Sequence, residues 1–159
     1  MLIRNYGLFW RRDDVFWGRP KNAGTLLGRR ADQRRSEPVD FRDQTGIYAL
    51  YADYRLVYIG QTAGTGKQLL ARLKDHLADD LAGRWDMFSW FGTRQVIAGG
   101  DKLKAPKAGA STTLETALNH MEAILIHVAE PPLNRQGSRW GRATKQYLQI
   151  HDERLDDDE

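Results

Sequence analysis

Six polar residues stand where chemistry could be done. Tyr48 and Tyr58 lie on two β-rich runs either side of a turn centred near Asp53, so their hydroxyls can meet on one face of a hairpin. Arg72 and His76 are four apart on a helical stretch and share one face beside its leucine stripe. Glu122 follows Met121 on the flank of an apolar helix, where a lone carboxylate is costly to bury. A Mg²⁺ ion would satisfy it, and so would an arginine; Glu115, on the same face, is the rival ligand. Asn134 follows Pro132-Leu133, where it either ties a hydrogen-bond network together or caps a turn. Each has a plainer reading: ordinary strand tyrosines, a solvated helix edge, a paired acid.

Other chemistries fit poorly. There are no cysteines, which removes disulfide scaffolds, thiolate zinc sites and cysteine nucleophiles. Gly64-Thr65-Gly66-Lys67 suggests a phosphate loop, but Gln61 stands where the first glycine is needed and Gln68 replaces the Ser or Thr. His120 and His127 are too widely spaced for a helical zinc pair. No Gly-x-Ser-x-Gly turn occurs.

The elements that must position these groups are legible in outline. Residues 46–51 and 56–59 are rich in β-formers on either side of a turn and read as an antiparallel hairpin. Lys67 to Leu81 carries Leu70, Leu73, Leu77 and Leu81 at helical spacing. Residues 85–96 read as a third strand, and 99–111 as a surface insertion. A second helix starts at Thr112 or Thr113 and stops at Pro131-Pro132, with a short element expected around Tyr147. Two strand-like aromatic runs around Arg11–Asp14 suggest an N-terminal hairpin. The order predicts an α+β protein: a small three-stranded antiparallel sheet flanked by helices. Residues 1–44 form an extension, 45–137 the catalytic core, and 138–159 a basic segment with an acidic tail.

One domain accommodates 159 residues, of which 41% are hydrophobic. No apolar run is long enough to cross a bilayer, no secretory leader is apparent, and a cytoplasmic location is expected. The net charge is +3, but residues 152–159 carry −5, leaving +8 on the rest. Arg135, Arg139, Arg142 and Lys145 form a cluster without an acid. A basic body suggests a polyanionic partner. Lys102, Lys104 and Lys107 could grip backbone phosphates, as could Arg135, although a mobile, solvated loop explains the lysines slightly better. The acidic tail could cover the basic groove as a DNA mimic.

Gly46-Ile47-Tyr48 followed by Tyr58-Ile59-Gly60 resembles the paired triplets of the GIY-YIG nuclease superfamily. Arg72, His76, Glu122 and Asn134 match the remaining family positions in order. The resemblance spans about residues 45–136 and says nothing about 1–44. It implies a Mg²⁺-dependent endonuclease, with Mn²⁺ able to substitute, that hydrolyses DNA phosphodiesters to 5′-phosphate and 3′-hydroxyl ends. It implies that Glu122 holds the metal, Arg72 stabilises phosphoryl charge, and Tyr58 orients water or phosphate. Tyr48 or His76 would be the general base, Asn134 would support the site, and Gly60 would permit close approach. A restriction-like or host-defence nuclease is expected, and cutting both strands would call for a homodimer. The alternatives are a non-catalytic nucleic-acid-binding module and an RNase or toxin-like nuclease.

Overall fold

The computed structural model describes residues 3–62, 66–105 and 144–158, together with His120, Ile124 and Val128. Its strands are β1 (Asn5–Arg11), β2 (Phe16–Arg19), β3 (Asn22–Thr25), β4 (Leu27–Arg30), β5 (Val39–Asp40), β6 (Gly46–Ala52), β7 (Arg55–Gln61), β8 (Met87–Gly92) and β9 (Lys145–Gln149). Helix α1 covers Leu69–Asp75. Seven strands make one mixed sheet in the order β5-β4-β9-β1-β8-β6-β7, and β2-β3 form a separate two-stranded sheet. Among the described residues no helix is long and apolar enough to cross a membrane.

This overturns the expected fold class. The three strands β7, β6 and β8 are adjacent and antiparallel, but they are not a small sheet flanked by helices. They continue through β8 into β1, which pairs antiparallel with β8 and parallel with β9. The physical reason lies in the aromatic N-terminal run. The turn at Arg12–Asp14 carries the chain away instead of folding β2 back onto β1, so β1 keeps both edges open for distant partners. The hairpin within residues 1–44 is β2-β3. Among the described residues α1 is the one continuous α-helix, and His120, Ile124 and Val128 also have helical backbone.

The β6-β7 hairpin turns at Asp53-Tyr54, both left-handed with φ of 50° and 62°. A two-residue hairpin turn of this hand matches the twist of the flanking strands. The pleat of β6, apolar on both faces, then sends Tyr48 and Leu50 to one side, and Ala49 and Tyr51 to the other. The first face packs with Trp10, Phe41, Phe88, Trp90, Tyr147 and the α1 leucines. The second meets Ile3, Tyr6, Phe91, Ile124 and Val128. His120 is buried with that second group, where its Nδ1 accepts the Ile3 N–H at 2.9 Å.

Helix α1 is shorter than its leucine spacing predicts. Its first free N–H groups are taken by Gln44 and Arg42 carbonyls, which dock it on the β5-β6 connection. Beyond Asp75 the bonds tighten, Leu77 to Lys74 and Ala78 to Asp75. Asp79 then draws its carboxylate to His76 Nδ1 and the Leu81 N–H, offering the backbone an alternative to further helix. The acidic tail also differs from a groove-covering arm. Asp152 is buried, with Thr25 and Arg154 bonded to it, and Arg154 lies over the Phe16 ring at 4.1 Å.

Candidate active site

One row of the sheet builds the cluster. Gly60, Tyr48, Trp90, Gly7, Tyr147 and Arg30 are successive cross-strand partners on β7, β6, β8, β1, β9 and β4. Tyr48 therefore faces Gly60, not Tyr58. Tyr58 pairs with Leu50 and reaches Tyr48 diagonally, with ring centroids 6.2 Å apart. Gly60 is required by space: a Cβ there would lie 2.4 Å from the Tyr48 Cζ and hydroxyl and 2.8 Å from Tyr58 Cε1. The Tyr48 ring lies against the bare backbone and points its hydroxyl at α1.

His76 ends α1 and receives it. Tyr48 Oη and His76 Nε2 are 2.8 Å apart, and His76 Nδ1 is 2.7 Å from Asp79 Oδ2. A carboxylate can only accept, so Nδ1 carries the proton, and Nε2 is left to accept the Tyr48 hydroxyl. The Trp85 indole N–H donates to the His76 carbonyl at 3.0 Å and anchors the backbone. Tyr58 stacks obliquely on His76 at 4.9 Å. Tyr48 and His76 are buried, while Tyr58 is only partly so.

Arg72 reaches the same group from one turn earlier on α1. Its Nη1 donates to Asp75 Oδ2 at 3.1 Å, and its buried Nε has no hydrogen-bond partner among the described residues. Burial pushes the Tyr48 phenol up to about 12; the Arg72 charge pulls the other way and does not win. Burial also works against the Arg72 charge, but Tyr48 and Asp75 beside it outweigh this and raise its pKa. Asp75 is held low first by Lys67 and then by Arg72. Asp79 is held low by the Leu81 N–H and by His76.

Tyr48, Tyr58, Arg72, His76 and Gly60 thus come together. Glu122, Asn134, Lys107 and Arg135 lie outside the described residues. Lys102 and Lys104 make no side-chain hydrogen bond or ion pair among the described residues. They sit on a hairpin arm, residues 95–104, closed by the Val96–Leu103 bridge. Asp79 is the functional candidate that the sequence reading passed over. Its position three after His76 on a helix was the available signal.

A divalent ion does not fit the described side chains. No trio of His, Asp or Glu is placed to hold one. Asp75 is engaged by Lys67 and Arg72, and Asp79 by His76 and the Leu81 N–H. The acid that the resemblance gives to the metal, Glu122, is outside the described residues. No family model matches the chain, and no curated protein or solved structure matches it either, so the likeness to GIY-YIG nucleases rests on its motif residues alone.

Proposed function

We propose that this protein is a nuclease of the GIY-YIG type that hydrolyses DNA phosphodiester bonds in the cytoplasm, leaving 5′-phosphate and 3′-hydroxyl ends. The observation that carries the reading is the Tyr48–His76–Asp79 chain, with bonds of 2.8 and 2.7 Å, beside the Arg72 guanidinium. An imidazole oriented by a carboxylate is a competent proton acceptor, and the partner acid stabilises the imidazolium that forms. Tyr48, pushed up to about 12, is a poor base by itself. It acts as a relay: attacking water gives a proton to the phenol oxygen as the phenol proton passes to His76 Nε2. Arg72 faces the charge that builds on the phosphoryl oxygens. The P–O3′ bond breaks, and the leaving oxygen takes a proton from solvent. A requirement for Mg²⁺ rests on Glu122 and on the resemblance.

Incubating the chain with supercoiled plasmid, linear duplex, single-stranded DNA and RNA, each with Mg²⁺, Mn²⁺ or a chelator, tests this. Nicking of DNA that disappears in His76→Ala and in Glu122→Ala is expected. A wild-type chain that cuts no nucleic acid under any of these conditions refutes it. One observation favours the second reading, a binding module without catalysis: Tyr48 has no exposed surface. That reading predicts DNA retention by the wild type and by Glu122→Ala alike, with no cleavage by either.

A further inference from the structure

A cavity of about 450 Å³ opens between the 95–104 arm and the turn after β4. It lies apart from the tyrosine–histidine cluster but takes Val39 and Tyr147 from the same face of the sheet. Its size falls in the range of small-ligand sites, roughly 300–1,000 Å³. Three cations line it from three strands or their approaches: Arg4 before β1, Arg30 at the end of β4 and Lys145 at the start of β9.

These cations are unequally committed. Arg30 holds Asp32 through two bonds of 2.9 Å, so its charge is largely answered. Lys145 stands 4.0 Å from the same carboxylate. The Arg4 guanidinium makes no hydrogen bond or ion pair among the described residues. Two further arginines, Arg34 and Arg35, are exposed on the adjoining turn, and the opposing acids are Asp32 and Glu37. The field at the mouth is therefore positive. The opposite wall is different in kind. Val96 and Ile97 present apolar surface, and Ile97 is 41% exposed. The Gln33 and Gln95 amides, each both donor and acceptor, also border the cavity.

The site is held rigidly. The buried Gln44 amide donates to Asn5 Oδ1 at 2.7 Å and accepts the Arg94 N–H at 2.8 Å, tying the base of the arm to β1. Arg94 in turn donates to the Lys104 and Asp43 carbonyls.

We propose that this cavity binds one nucleotide, with its phosphate between Arg4 and Lys145 and its base against Val96 and Ile97, edged by the glutamine amides. The phosphate is either that of a free nucleotide or one along a nucleic-acid strand. The strand version rests on the nuclease reading. Arg4 and Lys145 stand two and three strands from Tyr48, and three and two residues along from its row, about 14–16 Å at the usual spacings. That is about four or five nucleotides of B-form rise, so the cavity would read one base at that remove from the cut.

Binding is measured on the full chain in chelator, so that cleavage does not intrude. The probes are dAMP by calorimetry and a fluorescein-labelled single-stranded octanucleotide by anisotropy. The variants are Arg4→Ala with Lys145→Ala, and Ile97→Glu as an independent change on the exposed wall. The cavity variants should lose at least about tenfold in affinity, with a shallower salt dependence. Binding of dAMP alone assigns the site to free nucleotides, of the octanucleotide alone to a strand, and either supports it. A wild-type chain that binds neither probe, or cavity variants that bind as tightly as wild type, overturns it. A chain that binds through Arg4 and Lys145 yet cuts nothing keeps this site and loses the nuclease reading. A chain that cuts DNA while the cavity variants bind unchanged does the reverse.

Discussion

Replacing Gly60 with alanine tests the geometry of the cluster without touching any polar group. Gly60 does not have a left-handed φ, so the backbone accepts alanine, and reduced freedom of the unfolded chain should stabilise by about 0.4–1 kcal/mol. Against this, the new Cβ would lie 2.4 Å from the Tyr48 Cζ and hydroxyl. The Tyr48 ring is buried on all sides and cannot swing into solvent. Forcing it aside costs about 1–3 kcal/mol as overpacking. Separating it from His76 strands a buried acceptor, which costs about 1–3 kcal/mol more. The net loss is about 1–5 kcal/mol, a fall in Tm of roughly 2–20 °C for a chain of this size. Urea unfolding followed by tryptophan fluorescence measures it. In a Tyr48→Leu background the obstacle is gone, and the same Gly60→Ala change should be neutral or slightly stabilising. The cycle therefore predicts a coupling of about 3 kcal/mol. A Gly60→Ala cost below about 0.5 kcal/mol, or an equal cost in both backgrounds, refutes the claim that this glycine exists to seat the tyrosine.

Gly7→Ala meets two buried indoles, Trp90 Nε1 at 2.4 Å and Trp10 Nε1 at 2.5 Å. It should cost about 3 kcal/mol or more, and a variant that melts with wild type contradicts that packing. With ¹³C-labelled tyrosine, the Tyr48 Cζ resonance should stay unmoved through pH 10 and shift only near about 12; a transition near 10 would show a solvated phenol. Asp152 is lowered from 3.8 to about 2, first by Arg154 and then by Thr25, against the effect of burial. Its contribution, about 2 kcal/mol, is complete above the unfolded value of 3.8 and disappears as pH falls toward about 2. Asp152→Asn should flatten acid unfolding over that window, and an unchanged profile rejects the clasp.

Local structure was readable where neighbours in sequence decide it. The β-forming runs on either side of Asp53 specify β6 and β7, and the short element expected around Tyr147 is present as β9, though its type was not legible. Partners far along the chain were not readable. The strand pattern of β1 says that it will pair, but not that its partners are Trp90 and Tyr147 and not the neighbouring aromatic run. That error made a central strand look like part of an extension and the sheet look small. The extent of α1 failed for a different reason: leucine spacing continues to Leu81, while Asp79 diverts the backbone after Asp75. Tyr48, Tyr58, Arg72 and His76 stood out by type and position. Asp79 did not, because an acid three residues past a histidine looks like any solvated helix edge. The cavity beside Arg4 was beyond reach, since its walls come from β1, β4, β9 and the arm after β8.

The insertion of β9 between β1 and β4 has a consequence for synthesis. Arg30 has its sheet partner in Tyr147, so the β4-β5 pair cannot hydrogen-bond into the main sheet until residues 145–149 have emerged from the ribosome. Until then β1 exposes one unpaired edge and β4 another, each a template for a stray chain. Assembly of this sheet is therefore governed by its last strand, and a nascent chain stalled before Lys145 should be a substrate for chaperones.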